Sequence, residues 1–140
     1  MPSQNQEVSM YQNMSKKNKN KLLEGDDLEK CTELQATTYL NMSICFYLQQ
    51  KYQKCIEKAS ASLELKKSIK AYYRRGQAYA ARKDYENAIR DLENAIKLDV
   101  SDPNDIQQEL IKMKGLSKQQ EKELTKKMQG FLIKDNQEES

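Results

Sequence analysis

The chain has 140 residues, of which 37% are hydrophobic and 32% are charged, and it contains only two prolines and four glycines. This composition favours a mostly helical, soluble protein with one modest core. No stretch approaches the ~20 apolar residues that a membrane span needs, and the polar N-terminus lacks the apolar core of a signal peptide. A net charge of +3 is too small to indicate nucleic-acid binding by itself.

The absence of histidine restricts the chemistry that the side chains can perform. Without histidine, neither Ser-His-Asp nor Cys-His catalysis is possible. The cysteines Cys31, Cys45 and Cys55 have no CxxC spacing, and a zinc or redox site is the disfavoured alternative. Because Cys45 and Cys55 fall on apolar helix faces, we interpret them as reduced core thiols of a cytoplasmic protein. We predict no enzyme activity, no metal and no cofactor.

The first predicted element is a helix in residues 7–21, in which Val8, Tyr11 and Met14 have the spacing of an apolar face. The same spacing recurs at positions 89, 92 and 95. We therefore interpret residues 1–25 as the second helix of a partial first repeat unit, followed by a basic linker. We expect the first helix of that unit to be missing from this chain, so that the unpaired face promotes self-association into a homo-oligomer. A nuclear-import signal is the alternative reading of the run "SKKNKNKLLEGDD".

Residues 26–100 repeat with a period of 33 residues. Matched positions keep their size class, small with small or large with large, apart from one pair. The pairs are Tyr39/Tyr72, Ser43/Gly76, Phe46/Tyr79, Tyr52/Tyr85, Cys55/Ala88, Ile56/Ile89, Ala59/Leu92 (the exception), Ser62/Ala95 and Leu65/Leu98. The period predicts two antiparallel helix pairs with turns near 49–51 and 83–84. Small residues mark the close helix crossings, and each pair needs a stacked neighbour to bury its apolar face.

A further helix is predicted to start after the repeats, with Asp102 as its cap and Pro103 in its first turn. Gly115 is expected to bend or end this helix. Its apolar stripe consists of Ile106, Leu110, Ile111 and Met113.

A second charged segment, residues 118–128, is predicted to start at a capping box formed by Ser117 and Gln120. Its sparse apolar positions indicate that it projects from the body; they are Leu124, Met128, Phe131 and Leu132. We interpret residues 101–132 as capping and extension helices, with a calmodulin-binding helix as the alternative. Residues 133–140 are expected to form a disordered tail.

The 33-residue pattern resembles the tetratricopeptide (TPR) repeat, in which W-x2-L-G-x2-Y is followed by A-x3-F and then P. The positions that fit are Tyr72, Gly76, Tyr79, Ala88, Leu92 and Ala95, whereas Val100 replaces the proline. The first unit is one residue shorter than the 34 residues typical of the family. The resemblance implies an all-α fold of helix-turn-helix repeats in a right-handed superhelix with a C-terminal capping helix.

A basic cluster opens the second unit. In a TPR stack the first helix of each pair lines the groove, and Lys70 and Arg74, four residues apart, project from one face of that helix. Asn41 lies 33 residues before Arg74, at the equivalent position of the first unit. An amide, a guanidinium and an ammonium on one wall suit a carboxylate ligand. The alternative is that Lys70 and Arg74 are solvated charges, paired with Glu64 or with the first helix.

The stretches "YLNMSICFYLQQKYQKCIEKASASLEL" and "KAYYRRGQAYAARKDYENAIRDLENAIKLD" are similar to the C-terminal TPR domain of large immunophilins and related Hsp90 co-chaperones. In that family a carboxylate clamp holds the acidic C-terminal peptide of Hsp90 or Hsp70. The resemblance assigns the second-repeat asparagine to Asn41, and the third-repeat lysine and arginine to Lys70 and Arg74. The remaining lysine and asparagine belong to the first-repeat helix that we expect to be missing, and the resemblance includes no isomerase domain.

These observations predict a co-chaperone-like adaptor that binds acidic peptide tails through an incomplete clamp. The main alternative is a TPR scaffold without a working clamp, which binds another protein or associates with itself. An RNA-binding helical repeat is disfavoured by the modest charge and the lack of stacking patterns. We predict no nucleic-acid partner and no membrane.

Overall fold

The computed structural model describes residues 25–101 and 105–138. These residues form five α-helices and no strand: α1 (Asp26–Leu48), α2 (Tyr52–Leu65), α3 (Ile69–Ala81), α4 (Tyr85–Leu98) and α5 (Ile106–Glu138). The all-α prediction is confirmed. The helix expected in residues 7–21, the self-association through it and the cap at Asp102 lie outside the described residues.

The period of 33 residues is visible in the backbone. Tyr52 and Tyr85 begin the second helix of their units, and Leu65 and Leu98 end it. The turn between the two helices contains a residue with φ 61° in each unit, Gln50 in the first and Lys83 in the second. Each helix packs against the next one along the chain, as expected for stacked helix-turn-helix units. The structure therefore has two equivalent helix pairs followed by α5.

Side-chain caps fix where the second unit begins and turns. The Ser68 hydroxyl accepts a hydrogen bond from the backbone N–H of Ala71 at 3.2 Å and starts α3. The Asp84 carboxylate accepts from the backbone N–H of Asn87 at 3.4 Å and starts α4. Such caps satisfy N–H groups that have no partner within the helix. The Ser68 cap places Lys70 in the first turn of α3.

Small residues occupy the helix crossings. The side chains of Ala59, Ala71, Ala78 and Ala88 are completely buried. At the first crossing the Ser62 hydroxyl of α2 donates a buried hydrogen bond of 2.8 Å to the Ala36 carbonyl of α1. Small side chains allow helix axes to approach closely, which increases dispersion contacts between the backbones.

The two cysteines predicted to be core thiols differ. Cys55 is fully buried against α1 and α3, and burial raises the pKa of its thiol to about 11. Cys45 is exposed, so its prediction was wrong. Consecutive helical residues point about 100° apart, and Ile44, not Cys45, turns toward the groove side of α1.

The region after the repeats is one helix, where the sequence indicated two helices and a disordered tail. The helix α5 continues through Gly115 and Ser117 and reaches Glu138, so the predictions that the helix ends at Gly115, that Ser117 and Gln120 form a capping box and that residues 133–138 are disordered were wrong. Leu116 packs against the core, and Gln120 donates a hydrogen bond of 3.1 Å to the Lys83 carbonyl. These contacts outweigh the ~1 kcal/mol that a glycine costs within a helix.

Only the first turns of α5 cover the repeats. Ile106, Leu110 and Met113 are buried against Ala88, Leu92 and Ala95 of α4. Ile111, expected in the same stripe, is 63% exposed because it lies on another face of the helix. From Lys118 to Gln137 every residue is exposed. None of the described helices combines the length and apolar character that crossing a membrane would require.

We expect opposite effects from two substitutions at the α3–α4 crossing. Ala88→Leu should lower the free energy of unfolding by about 1–3 kcal/mol, because there is no space for a larger side chain. Gly76→Ala should raise it by about 0.5–1 kcal/mol through the better helix propensity of alanine. A Cβ added at Gly76 would lie 3.5 Å from the Ala88 carbonyl oxygen, which is an ordinary contact. Urea denaturation followed by circular dichroism measures both, and an unchanged stability of Ala88→Leu would contradict the close crossing.

Candidate binding groove

A cavity of about 370 Å³ lies between α1 and the start of α3. We call it the α1–α3 cavity. Its apolar part is formed by Ala36, Leu40 and Ile44, and its polar rim by Glu33, Thr37, Asn41, Ser62, Lys66, Ser68 and Lys70. The combination of an apolar floor with a few convergent polar groups is typical of a ligand site.

Two of the three predicted site residues, Asn41 and Lys70, line this cavity together. Asn41 is carried by the middle of α1 and Lys70 by the capped first turn of α3, and both are exposed. Among the described residues, neither Lys70 nor Arg74 has a carboxylate oxygen within 4.0 Å. Neither residue therefore pairs with Glu64 or with α1, and the alternative that both are solvated charges stays a prediction.

Arg74 lies one turn further along α3 and makes a different contact. Its guanidinium carbon is 5.1 Å from the centroid of the Tyr47 ring. Tyr47 in turn packs edge-on against Tyr52, with 5.6 Å between the ring centroids. A cation over an aromatic face is attracted by the negative charge density of the ring. The contact holds Arg74 near the C-terminal end of α1, and no carboxylate of the described residues pairs with its guanidinium.

Two further cavities continue from the α1–α3 cavity along α3. Lys70 also lines a cavity of about 330 Å³ with Ile69, Tyr73 and Ile106. Tyr73 then lines another of about 370 Å³, together with Tyr47, Gln77, Glu109 and Lys112. We call the surface formed by these three cavities the groove. Its walls come from α1, α3 and α5, and within the described residues the buried Oε1 of Gln77 on this surface has no hydrogen-bond donor.

Comparison with known proteins agrees with the helix-pair geometry. Residues 69–102, which include α3 and α4, match the family model described as the tetratricopeptide repeat. The chain contains a tetratricopeptide repeat. Both units of the fold have its helix-turn-helix form, although the family model matches only the second.

The most similar curated proteins include immunophilins. Peptidyl-prolyl cis-trans isomerase FKBP4 of Bos taurus is 30% identical over 99 residues, which are 70% of this chain and 22% of that protein. FK506-binding protein 5 of Rhizopus delemar is 36% identical over 80 residues, 54% of this chain and 21% of that protein. Peptidyl-prolyl cis-trans isomerase PASTICCINO1 of Arabidopsis thaliana is 37% identical over 68 residues, 48% of this chain and 11% of that protein. The predicted resemblance is confirmed, and the chain spans about a fifth or less of the length of these relatives.

Arg75, which follows Arg74 in α3, stabilises the second tetratricopeptide unit. Its Nε and Nη2 donate hydrogen bonds of 2.8 and 2.7 Å to the two carboxylate oxygens of Asp91 on α4, and its Nη1 donates one of 3.0 Å to the Ser60 hydroxyl on α2. The hydrogen bond with Asp91 raises the pKa of Arg75 further above its already high value. A signal for this pair was present in the sequence, because Asp91 falls in the apolar stripe of Ala88, Leu92 and Ala95.

Two features of the groove were not predicted from the sequence, namely Tyr47 and the ion pair of Glu33 with Lys66. Tyr47 could not be found from the repeat because the residue at the equivalent position of the second unit is Ala80, which is not aromatic. Glu33 and Lys66 are 33 residues apart, so they occupy equivalent positions of the repeat and carry opposite charges. This opposition was the sequence signal for the ion pair that they form in the α1–α3 cavity.

Among the described residues, no group of three or more acidic or cysteine side chains could hold a metal ion.

Proposed function

We propose that the chain is a protein-interaction adaptor whose groove binds the acidic C-terminal peptide of a chaperone of the Hsp90 or Hsp70 type. The observation that carries the proposal is that the exposed Asn41 amide and the exposed Lys70 ammonium line one cavity. Arg74 lies one helical turn beyond Lys70. FKBP4 is similar to this chain over 70% of the chain's length. This similarity supports an adaptor role for the repeats.

The side chains of the groove match the chemistry of a peptide terminus. Lys70 offers three N–H donors and Asn41 two, and a terminal carboxylate accepts from both. Hydrogen bonds between charged groups are shorter and stronger than neutral ones. Leu40 and Ile44 supply an apolar surface for a ligand side chain.

The proposed role is binding, without isomerase activity and without a cofactor. The name of FKBP4 includes an isomerase activity, but this chain matches only 22% of the length of that protein. The three free cysteines fit a reducing compartment, for which we propose the cytoplasm.

Titration of the chain with an acidic peptide ending in aspartate tests this function. We expect the peptide with a free C-terminal carboxylate to bind about tenfold more tightly than the same peptide with a C-terminal amide, because the amide loses a charge-assisted interaction. Lys70→Ala should remove most of that difference. Lys97→Ala, which removes an exposed lysine of α4, is the matched control and should retain it.

Equal affinities for the free acid and the amide would contradict carboxylate recognition. That outcome would favour the alternative, a tetratricopeptide scaffold that binds another protein or associates with itself.

A further inference from the structure

The α1–α3 cavity already contains a carboxylate of the chain itself. Glu33 of α1 and Lys66 of the α2–α3 link both line it, together with Asn41 and Lys70. The Lys66 Nζ donates a hydrogen bond of 2.8 Å to the Glu33 Oε1. Their side chains are 56% and 50% exposed, so a ligand can reach both groups from solvent.

The ion pair of Glu33 and Lys66 lies within the reach of a short peptide bound at Asn41. Glu33 is eight residues before Asn41, which corresponds to ~12 Å along α1. Lys66 is four residues before Lys70. An extended peptide covers ~12 Å with three or four residues. A peptide whose terminal carboxylate is held by Asn41 and Lys70 can therefore bring an acidic side chain to Lys66 in the same cavity.

The charges favour competition between Glu33 and a ligand. The Glu33 carboxylate is ionised at neutral pH, as an ordinary glutamate is, and the hydrogen bond with Lys66 lowers its pKa. Its negative charge opposes an incoming carboxylate and occupies Lys66, which a ligand carboxylate could otherwise bind. Exposed ion pairs contribute little net stability, so opening this pair requires little free energy.

We propose that Glu33 is an intramolecular competitor for the ligand and that Lys66 is a further ligand-binding residue, which exchanges Glu33 for a ligand carboxylate. The inference rests on the proposed function and adds a specificity-determining pair to it. The intrinsic carboxylate weakens binding of every acidic ligand. The cost is largest for ligands whose acidic side chain must displace Glu33 from Lys66.

Four variants test the exchange in titrations with an acidic peptide that ends in a free carboxylate. Glu33→Gln should strengthen binding about two- to five-fold, since it removes the competing charge and releases Lys66. Lys66→Ala should weaken binding by a similar factor, and adding it to Glu33→Gln should abolish the gain. Glu57→Gln removes the same charge from an exposed position on α2 and should leave the affinity within a factor of 1.5 of the parent, roughly the effect of one screened surface charge.

The outcomes separate this inference from the proposed function. If the parent distinguishes the free acid from the amide but Glu33→Gln binds like the parent, the competition does not exist. An equal gain in Glu33→Gln and Glu57→Gln would also overturn it, because the effect would then follow net charge. A parent that does not distinguish acid from amide contradicts the proposed function itself. Circular dichroism of Glu33→Gln verifies that α1 is intact.

Discussion

Replacing Asp91 with alanine should lower the free energy of unfolding by about 3 kcal/mol, the largest loss that we expect from a single substitution. The Asp91 side chain is 3% exposed and the Arg75 side chain 22% exposed. Both Asp91 oxygens accept hydrogen bonds from Arg75, so removal of the carboxylate leaves a largely buried guanidinium without its counter-ion. Urea denaturation followed by circular dichroism measures the loss.

Two further variants show whether the loss comes from the buried pair. Glu86→Ala removes the exposed i,i+4 partner of Arg90, whose Nη2 is 3.8 Å from the Glu86 carboxylate, and should change stability by at most about 0.5 kcal/mol. The double variant Arg75→Met, Asp91→Leu should recover most of the loss, because it removes both charges and leaves neither of them buried without a counter-ion. If Asp91→Ala were as stable as the parent, the pair would not hold α3 against α4.

Replacing Arg74 with alanine should weaken binding of the acidic peptide by about one to two powers of ten. A hydrogen bond to a charged group contributes about 1.5–3 kcal/mol, and each 1.4 kcal/mol is a factor of ten in affinity. Arg74 has no carboxylate partner among the described residues, and its stacking on Tyr47 holds the guanidinium beside the groove. Titration calorimetry of the parent and of Arg74→Ala measures the difference.

The matched control for Arg74→Ala is Arg90→Ala, which removes an exposed arginine of α4. It should leave the affinity within a factor of two, the size expected for a distant, screened charge. Added salt should weaken binding to the parent more than to Arg74→Ala. Equal affinities of the parent, Arg74→Ala and Lys70→Ala would mean that the basic cluster of α3 is solvated surface.

The sequence predicted the helix pairs because the period is enforced by packing within each unit. Tyr52 and Tyr85 start equivalent helices, and Gln50 and Lys83 turn them with the same backbone geometry. The course of α5 could not be predicted in this way. Local signals at Gly115 and Ser117 indicated an interruption, whereas the contact of Leu116 with the core, which depends on the three-dimensional arrangement, keeps the helix continuous.

The candidate site shows a similar division. The period places Asn41 and Lys70 on equivalent first helices, and the structure gives them a common cavity. Arg74 and Arg75 are neighbours in the sequence, yet residues adjacent in a helix point about 100° apart. One therefore stacks on Tyr47 at the groove and the other joins Asp91 between the helices. Their different roles depend on Tyr47 and Asp91, which lie outside α3, so the spacing of residues within α3 cannot predict these roles.

The exposed part of α5 gives the described part of the chain an elongated shape. Beyond Gln120, which still contacts Lys83, the helix continues to Glu138 and extends ~27 Å. A rod attached to a small body meets little friction when it spins about its own axis and much more when it turns end over end. The molecule therefore tumbles anisotropically. Because backbone N–H bonds in a helix run nearly parallel to the helix axis, those of α5 sample the slow end-over-end rotation, whereas N–H bonds of helices inclined to α5 also sample the faster spin.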